Sequence, residues 1–282
     1  MTAESRDAEL GPVAAEIVAH YESADEAGRL DTGLGRLERE RTRRLVERFM
    51  SPPPGVVLDV GGGAGVHAIW LAGLGYEVHL SDPVARHVEQ AKENAAESGS
   101  PLASAVVGHA GDLDHGDGTA DAVLAFGPLY HLPDPADRSR ALQEAARVLR
   151  AGGWFFGAAI SRFTSLVNAL REGLLDDTTF LSIVDGDLDT GHHRNPSPDR
   201  DFFTTAYVHR PDELATEVGA AGFDDVQIIA VEGVAWAVDD FDARWADRRS
   251  RDELLRLVER TETEPALLGA STHLLAVGRK PQ

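Results

Sequence analysis

The chain has 282 residues, 43% of them hydrophobic, which is enough for a full core and one large α/β domain. It carries 27 basic and 47 acidic residues, and a net charge of −20 disfavours a nucleic-acid partner because that field repels phosphate backbones. No cysteine occurs, so disulfides, thiolate metal sites and cysteine nucleophiles are excluded.

The first fifty residues are expected to form a helical cap. Apolar positions recur among charges over 12–50, and three consecutive prolines at 52–54 end that pattern. The N-terminus is polar and acidic, unlike a signal peptide, and no apolar run approaches the ~18 residues that span a bilayer. We therefore expect a cytoplasmic protein with no membrane contact.

A glycine-rich turn follows the cap. The segment from Val56 to Gly65 reads V-V-L-D-V-G-G-G-A-G, a β-branched run that ends in glycines. This pattern predicts a buried strand over 56–60 that turns sharply into a helix over 66–74. Bare backbone and free N–H groups at such a turn suit an anionic or polar ligand.

The spacing of the glycines narrows the class of ligand. A dinucleotide fingerprint, G-x-G-x-x-G, would need its third glycine at the position of Val66. A P-loop is excluded because no Lys-Ser or Lys-Thr follows. A tight turn with no ligand is the remaining structural alternative.

Strands and helices alternate through the next hundred residues. Strands are predicted at 56–60, 76–80, 104–107, 121–126 and 154–159, with helices at 66–74, 84–98 and 135–149. This rhythm is typical of a parallel sheet with helices on both faces. We assign 51–160 to a ligand-binding core.

The alternation breaks at 161–210, which we name the lid segment. A helix is expected near 162–175, and the polar stretch 185–201 is too long for an ordinary connection, so we expect a functional lid or a mobile loop. The rest of the core, 211–282, is predicted to contain a helix at 211–221, a strand at 225–232, a helix at 250–260 and a strand at 272–278.

The pattern Asp59-x-Gly61-x-Gly63-x-Gly65 resembles that of the class I, Rossmann-like S-adenosylmethionine-dependent methyltransferases. The resemblance is strong over 55–160 and looser elsewhere. It implies an α/β, doubly wound, seven-stranded, mostly parallel sheet whose last strand is antiparallel. It also implies S-adenosyl-L-methionine as cofactor and S-adenosyl-L-homocysteine as product, with Asp59, Gly61, Gly62, Gly63 and Gly65 at the cofactor.

Further cofactor contacts are expected at strand ends. Asp82 closes the second strand, where a carboxylate can accept hydrogen bonds from ribose hydroxyls. By resemblance Asp82 binds the ribose and Pro83 lies against the adenine, although Asp82 is also suited to cap the helix from Val84. Asp112 and Leu113 follow the third strand and are expected near the adenine, unless they lie in a surface loop.

The segment Phe126-Gly-Pro-Leu-Tyr-His-Leu132 follows the fourth strand. It resembles a bacterial and archaeal group of small-molecule methyltransferases, which places Phe126 at the cofactor. Tyr130 and His131 are the candidates for orienting the substrate or for removing a proton, because histidine titrates near neutrality. The alternative is that His131 only packs against the next helix.

The cap and the lid segment supply the remaining candidates. By resemblance Tyr21 lies near the cofactor, with Glu26 and Arg29 in the same closing segment, although an amphipathic surface helix explains them equally well. His192, His193 and Asn195 are candidate substrate contacts. Because adjacent histidines point in different directions, no metal site is predicted.

The function expected from the sequence is O-, N- or C-methylation of a small acceptor molecule. The alternatives are an RNA methyltransferase, a non-catalytic S-adenosylmethionine-binding protein, and other cofactor-assisted chemistry on the same fold. The acceptor and the oligomeric state cannot be read from the residues.

Overall fold

The computed structural model describes residues 12–23, 28–197 and 202–282. Its α-helices are α1 (Pro12–Ser23), α2 (Gly33–Phe49), α3 (Val66–Leu74), α4 (Ala85–Ser98), α5 (Pro128–His131), α6 (Pro135–Val148), α7 (Thr164–Arg171), α8 (Thr178–Thr190), α9 (Pro211–Ala220), α10 (Phe241–Ala246), α11 (Arg248–Thr261) and α12 (Pro265–Leu268). Its strands are β1 (Val56–Val60), β2 (Glu77–Asp82), β3 (Ser104–Val107), β4 (Ala120–Ala125), β5 (Leu149–Ile160), β6 (His192–His193), β7 (Ala206–Tyr207), β8 (Asp224–Ala230) and β9 (His273–Arg279). None of the described helices combines the length and the apolar character needed to cross a bilayer.

Seven strands form one sheet in the order β3-β2-β1-β4-β5-β9-β8. Only β9 runs antiparallel to its neighbours, β5 and β8, while the remaining pairs of the sheet are parallel. The predicted fold class is confirmed, including the antiparallel last strand. Parallel strands end at the same edge of a sheet, so β1, β2, β4 and β5 bring their carboxyl ends together there.

The sheet is buried on both faces because its central strands are apolar at successive positions. In β4, Val123 and Ala125 pack into one hydrophobic cluster, whereas Ala122 and Leu124 pack into the cluster on the opposite face. Continuous apolar runs of this kind are typical of parallel sheets covered by helices.

The N-terminal cap is divided rather than continuous. The predicted helix over 12–50 is instead α1 and α2, with a 3₁₀ turn at Arg29–Asp31 between them. Helix α2 starts at Gly33, where φ is +48°. Glycine adopts this left-handed conformation at little cost, so the chain changes direction there.

The lid segment leaves and re-enters the core at one point. The N–H of Arg162 donates to the His209 carbonyl, and the N–H of His209 donates to the Ile160 carbonyl, each at 2.8 Å. The expectation of a polar loop from 185 onward is wrong over its first part, because α8 continues to Thr190. Asp177 caps this helix by accepting the N–H groups of Thr179 and Phe180, and the helix then buries an apolar face.

Candidate functional site

The glycine turn lies where β1 passes into α3. The N–H groups of Gly61 and Gly62 donate to the Ser81 carbonyl at the end of β2, at 2.7 and 3.3 Å. Gly63 has φ of +55°, and a Cβ added to it would meet no atom within 4 Å. The backbone at Gly63 is therefore open to a ligand.

A cavity of about 280 Å³ lies over this turn. Ten residues that the sequence predicted for the cofactor or the substrate line it: Tyr21, Asp59, Gly61, Gly62, Gly63, Asp82, Pro83, Phe126, Tyr130 and His131. Residues from β1, β2, the segment after β4 and the N-terminal cap thus converge on one concave surface, as expected for a ligand site at the carboxyl edge of an α/β sheet.

Asp82 connects the two turns at this edge. Its Oδ2 accepts the N–H of Gly63, and its Oδ1 accepts the N–H of Val84, both at 2.9 Å. Nδ1 of His87 lies 3.2 Å from the same Oδ1. The carboxylate is 4% exposed and lines the cavity. Asp82 is not the cap of α4, because the N-cap of that helix is Val84 and no side chain makes a capping hydrogen bond there.

Asp59 is a buried carboxylate with an oxygen that has no partner. It is 2% exposed, and within the part of the chain that the structure describes its Oδ2 makes no hydrogen bond. Burial raises the pKa of Asp59 to about 7, and repulsion by the Asp82 carboxylate acts in the same direction. A buried oxygen acceptor in this state favours a cationic or hydrogen-bond-donating ligand.

Tyr21 and His131 meet across the cavity. The hydroxyl of Tyr21 lies 2.8 Å from Nε2 of His131, and the rings of Tyr130 and His131 are 4.5 Å apart. Burial lowers the pKa of His131 to about 3, and the nearby His20 contributes. His131 is therefore uncharged at neutral pH and a weak base.

Gly65 lies behind the cavity rather than in its lining. It has φ of +86° and precedes α3, and a Cβ there would be 3.1 Å from Ile69 and 3.2 Å from Ala91. The sequence predicted Gly65 at the cofactor, whereas the structure shows it between packed helices. A residue without a side chain lets α3 approach α4 this closely.

Asp112 and Leu113 also lie outside the cavity lining. Asp112 is exposed, while the buried side chain of Leu113 joins a core cluster and its N–H donates to Glu144. The expected adenine contacts therefore require a correction. Instead, the three residues directly after β3, at 108–110, line the cavity. Ligands of open α/β sheets bind beyond the carboxyl ends of the strands, and β3 ends at Val107, so the sequence pattern could have identified these residues.

The predicted substrate residues of the lid segment do not reach the cavity either. His192 is exposed, and its ring packs against Tyr207. Nδ1 of His193 lies 2.9 Å from Asp187, and Asn195 donates to the Phe203 carbonyl at 3.0 Å. Each of these contacts joins two residues of the lid segment. We therefore correct the assignment of His192, His193 and Asn195 from substrate contacts to residues that stabilise the lid segment.

Arg29 and Glu38, both from the closing segment of the cap, line the cavity together with His273, which the sequence analysis did not single out. Arg29 donates to both carboxylate oxygens of Glu38, at 2.6 and 2.9 Å. Nδ1 of His273 lies 2.5 Å from Glu232 and 3.7 Å from Glu38. Glu26, predicted beside Arg29, lies outside the described residues. We call Arg29, Glu38, Glu232 and His273 the polar cluster. Its signal in the sequence is a histidine at the start of β9, a strand that is otherwise mostly apolar.

The ligand atoms of Glu38, Glu232 and His273 all lie within 4.8 Å of one another, which is close enough for metal ligation. Each of the two carboxylates is, however, already paired with a cationic or hydrogen-bond-donating group, Arg29 or His273. We therefore assign the cluster to ion pairs and hydrogen bonds.

Comparison with known proteins agrees with this geometry. Residues 57–153 match a family model described as a methyltransferase domain. A ubiquinone biosynthesis O-methyltransferase of Paracidovorax citrulli is 30% identical over 177 residues, which cover 62% of this chain and 66% of that protein. A sarcosine/dimethylglycine N-methyltransferase of Halorhodospira halochloris is 37% identical over 123 residues, which cover 41% of this chain and 43% of that protein.

Solved structures of the same fold extend the similarity along the chain. A SAM-dependent methyltransferase from Methanosarcina mazei superimposes with a TM-score of 0.56 at 18% identity, covering 84% of this chain and 97% of its own. The two curated relatives above are matched over only 43% and 66% of their lengths. Residues 57–153 are therefore similar to a methyltransferase domain, and they lie within the seven-stranded fold that the solved methyltransferase structures share.

Proposed function

We propose that this chain is an enzyme that transfers the sulfonium methyl group of S-adenosyl-L-methionine to a small-molecule acceptor. The observation that carries the proposal is the open backbone of Gly63 in a cavity that Asp59 and Asp82 also line. We expect Asp82 to bind the sugar and Asp59 to accept an amino group, because the buried Oδ2 of Asp59 makes no hydrogen bond within the described residues.

The residues present fit this cofactor. A Cβ at Gly63 would fill the space that the turn leaves open, and a Cβ at Gly62 would lie 2.7 Å from Oδ2 of Asp59. Asp82 would hold the ribose, Pro83 would lie against the adenine, and Asp59 would face the amino-acid end. When bound, the cofactor supplies a methyl group already activated on sulfur, so the protein has to position and desolvate the reactants.

The remaining cavity residues then orient the acceptor and exclude water. We propose that Tyr130 and His131 contact the acceptor, with His131 held in place through Tyr21. Because the pKa of His131 is about 3, its contribution is orientation, and proton removal falls to another group. Helix α1 covers the cavity with Ile17 and is joined to the lid segment by the 3.0 Å bond between Glu16 and Thr205.

A small acceptor is favoured over RNA by electrostatics. The chain carries a net charge of −20, and Asp59 and Asp82 line the cavity. Contacts with a phosphate backbone dominate nucleic-acid affinity and require basic groups.

Isothermal titration tests the proposal directly. The chain should release heat with both S-adenosylmethionine and S-adenosylhomocysteine, and NAD should serve as the adenine-containing control that does not bind. Incubation with methyl-labelled cofactor and either total RNA or a small-molecule extract should label only the latter. No heat with either form of the cofactor refutes the assignment, and label on RNA alone replaces it with the RNA alternative.

A further inference from the structure

A buried histidine–carboxylate pair lies inside the lid segment, outside the cavity lining. Nδ1 of His193 lies 2.9 Å from Oδ2 of Asp187, and Nε2 of the same ring lies 2.9 Å from the Phe202 carbonyl oxygen. His193 is 5% exposed and Asp187 is 1% exposed. An ionised carboxylate and a carbonyl are both acceptors, so the imidazole needs a hydrogen on each nitrogen to satisfy these two contacts. The geometry therefore indicates that His193 carries a positive charge.

The groups around His193 favour this charge. Asp187, on α8, is the charged group that faces the ring, and it also accepts the hydroxyl of Ser165 from α7. The apolar ring of Phe203 is a further neighbour, 6.0 Å away between ring centres. Burial lowers the pKa of His193, but the hydrogen bond to Asp187 and the attraction of its charge outweigh burial and raise the pKa above the ordinary value for histidine. The protonated ring therefore persists to a higher pH than that of an exposed histidine.

The Phe202 carbonyl, which His193 binds, leads directly into a strained residue. Phe203 has φ of +66°, a left-handed conformation that is unfavourable for a bulky side chain. Its own carbonyl accepts a side-chain N–H of Asn195 at 3.0 Å. The bonds from His193 and Asn195 thus hold the peptide groups before and after Phe203, and they keep this residue in its strained conformation.

Phe203 connects the buried pair to the helix that covers the cavity. Its ring centre lies 5.8 Å from that of His131, which lines the cavity, and 5.8 Å from that of His20 on α1. Two positions further along the lid segment, the hydroxyl of Thr205 bonds Glu16 of α1 at 3.0 Å. The placement of residues 202–205 therefore determines how firmly α1 is held over the cavity.

We propose that His193 is a proton-dependent latch, which holds residues 202–205 against α1 while it is protonated and releases them when it loses its proton. A neutral imidazole has only one N–H. The bond to the Asp187 carboxylate is the stronger of the two, so the remaining hydrogen stays there and the bond to the Phe202 carbonyl is lost. Relief of the strain at Phe203 then favours release.

The sign of the pH dependence follows from the direction of the shift in pKa. Because the folded state raises the pKa of His193, the latch is closed below that value and opens as the pH rises through it. Its opening loosens α1 and exposes the cavity. The latch thus controls access to the cavity, whichever ligand binds there.

Hydrogen exchange of the ligand-free chain tests the latch. The protection of the amides of α1 and of residues 202–205, corrected for the intrinsic exchange rate at each pH, is measured from pH 6 to pH 10. In the wild type this protection should fall by about fivefold, the effect of losing one hydrogen bond. His192→Asn changes the exposed neighbouring histidine and should give the wild-type profile.

Two substitutions separate the proton from the contact. In Asp187→Asn the side-chain amide can donate to Nδ1 of a neutral His193, which leaves the Nε2 hydrogen on the Phe202 carbonyl. Protection in this variant should therefore stay high over the whole pH range. In His193→Asn the shorter side chain keeps at most one of the two contacts, so protection should already be low at pH 6.

A purely structural contact would lose protection in both variants at every pH. A wild-type profile that does not change with pH, or an Asp187→Asn profile that falls like that of the wild type, overturns the inference. If His193→Asn does not fold, the comparison of the wild type with Asp187→Asn decides alone. Because no ligand is present, each of these outcomes leaves the proposed function to be judged by its own titration.

Discussion

The hydroxyl of Tyr21 lies 2.8 Å from Nε2 of His131, across 110 positions of the chain. This bond joins α1 of the N-terminal cap to the segment after β4, directly above the cavity. The ring of Phe203, from the lid segment, lies 5.8 Å from that of His131. The cap, the core and the lid segment therefore meet at one partly buried, uncharged imidazole.

Removing the Tyr21 hydroxyl should loosen the cap. Tyr21→Phe keeps the ring but loses a hydrogen bond, which is worth about 1 kcal/mol. We expect faster hydrogen exchange of the α1 amides and little change in the free energy of global unfolding, because few contacts elsewhere depend on this bond. If α1 exchanges at the wild-type rate, the bond does not hold the cap closed. The double variant Tyr21→Phe/His131→Phe measures the coupling between the two side chains.

Replacing Asp82 should cost more cofactor affinity than stability. Asp82→Ala removes the acceptor of the Gly63 and Val84 N–H groups, so the empty protein should lose about 1–2 kcal/mol of unfolding free energy. Loss of the two ribose hydrogen bonds should weaken S-adenosylhomocysteine binding further, by about 100-fold, in calorimetry. Normal affinity combined with a large loss of stability would refute the ribose assignment.

Replacing Asp59 should stabilise the empty protein at high pH. Its pKa is raised from 3.8 to about 7, so the folded state holds its proton more tightly than the unfolded state does. The contribution of protonated Asp59 to the free energy of unfolding is therefore fully present below pH 4. As the pH rises through 7, this contribution falls by up to about 4 kcal/mol.

Asp59→Asn carries no such charge, and its advantage in urea unfolding should be larger at pH 8 than at pH 5. Cofactor affinity should fall in the same variant, since the buried acceptor for an amino group is weakened. An advantage that does not depend on pH would contradict the account of this carboxylate.

Two neighbouring glycines should respond differently to alanine. A Cβ at Gly62 would lie 2.7 Å from Asp59 and 2.8 Å from Leu80, so Gly62→Ala should destabilise the empty protein by about 1–3 kcal/mol. A Cβ at Gly63 meets nothing within 4 Å, so Gly63→Ala should cost only about 1 kcal/mol of backbone strain.

The order should reverse for ligand binding. Gly63→Ala places a methyl group in the cavity and should abolish the heat of S-adenosylhomocysteine binding. Wild-type affinity in Gly63→Ala would show that the ligand does not approach this backbone.

Chelators should leave the chain unchanged. Because Glu38, Glu232 and His273 pair with each other and with Arg29, we expect no metal to be needed for cofactor binding. The melting temperature and the cofactor affinity should be equal before and after treatment with EDTA. A loss that is restored by Mg²⁺ or Zn²⁺ would turn the cluster into a metal site.

The core of the fold could be read from the sequence because its signals are local. The apolar run before Gly61 and the end of β2 at Asp82 both follow from short-range patterns, and both residues lie at the cavity. The divided cap was missed because the turn at Arg29–Asp31 interrupts a charged periodicity without a proline. The extent of α8 was missed because the acidic residues at 185–189 resemble a loop in composition.

The sequence by itself determined the alternation of strands and helices, the open turn at Gly63 and the carboxylates at the ends of β1 and β2, since neighbouring residues encode each of them. Only the tertiary structure decided which distant side chains share the cavity. It placed Leu113 and His193 in packed interiors and brought His273 and Glu232 together. The physical reason is that strand order and the burial of whole faces determine these positions, and neither is encoded within a short window of the chain.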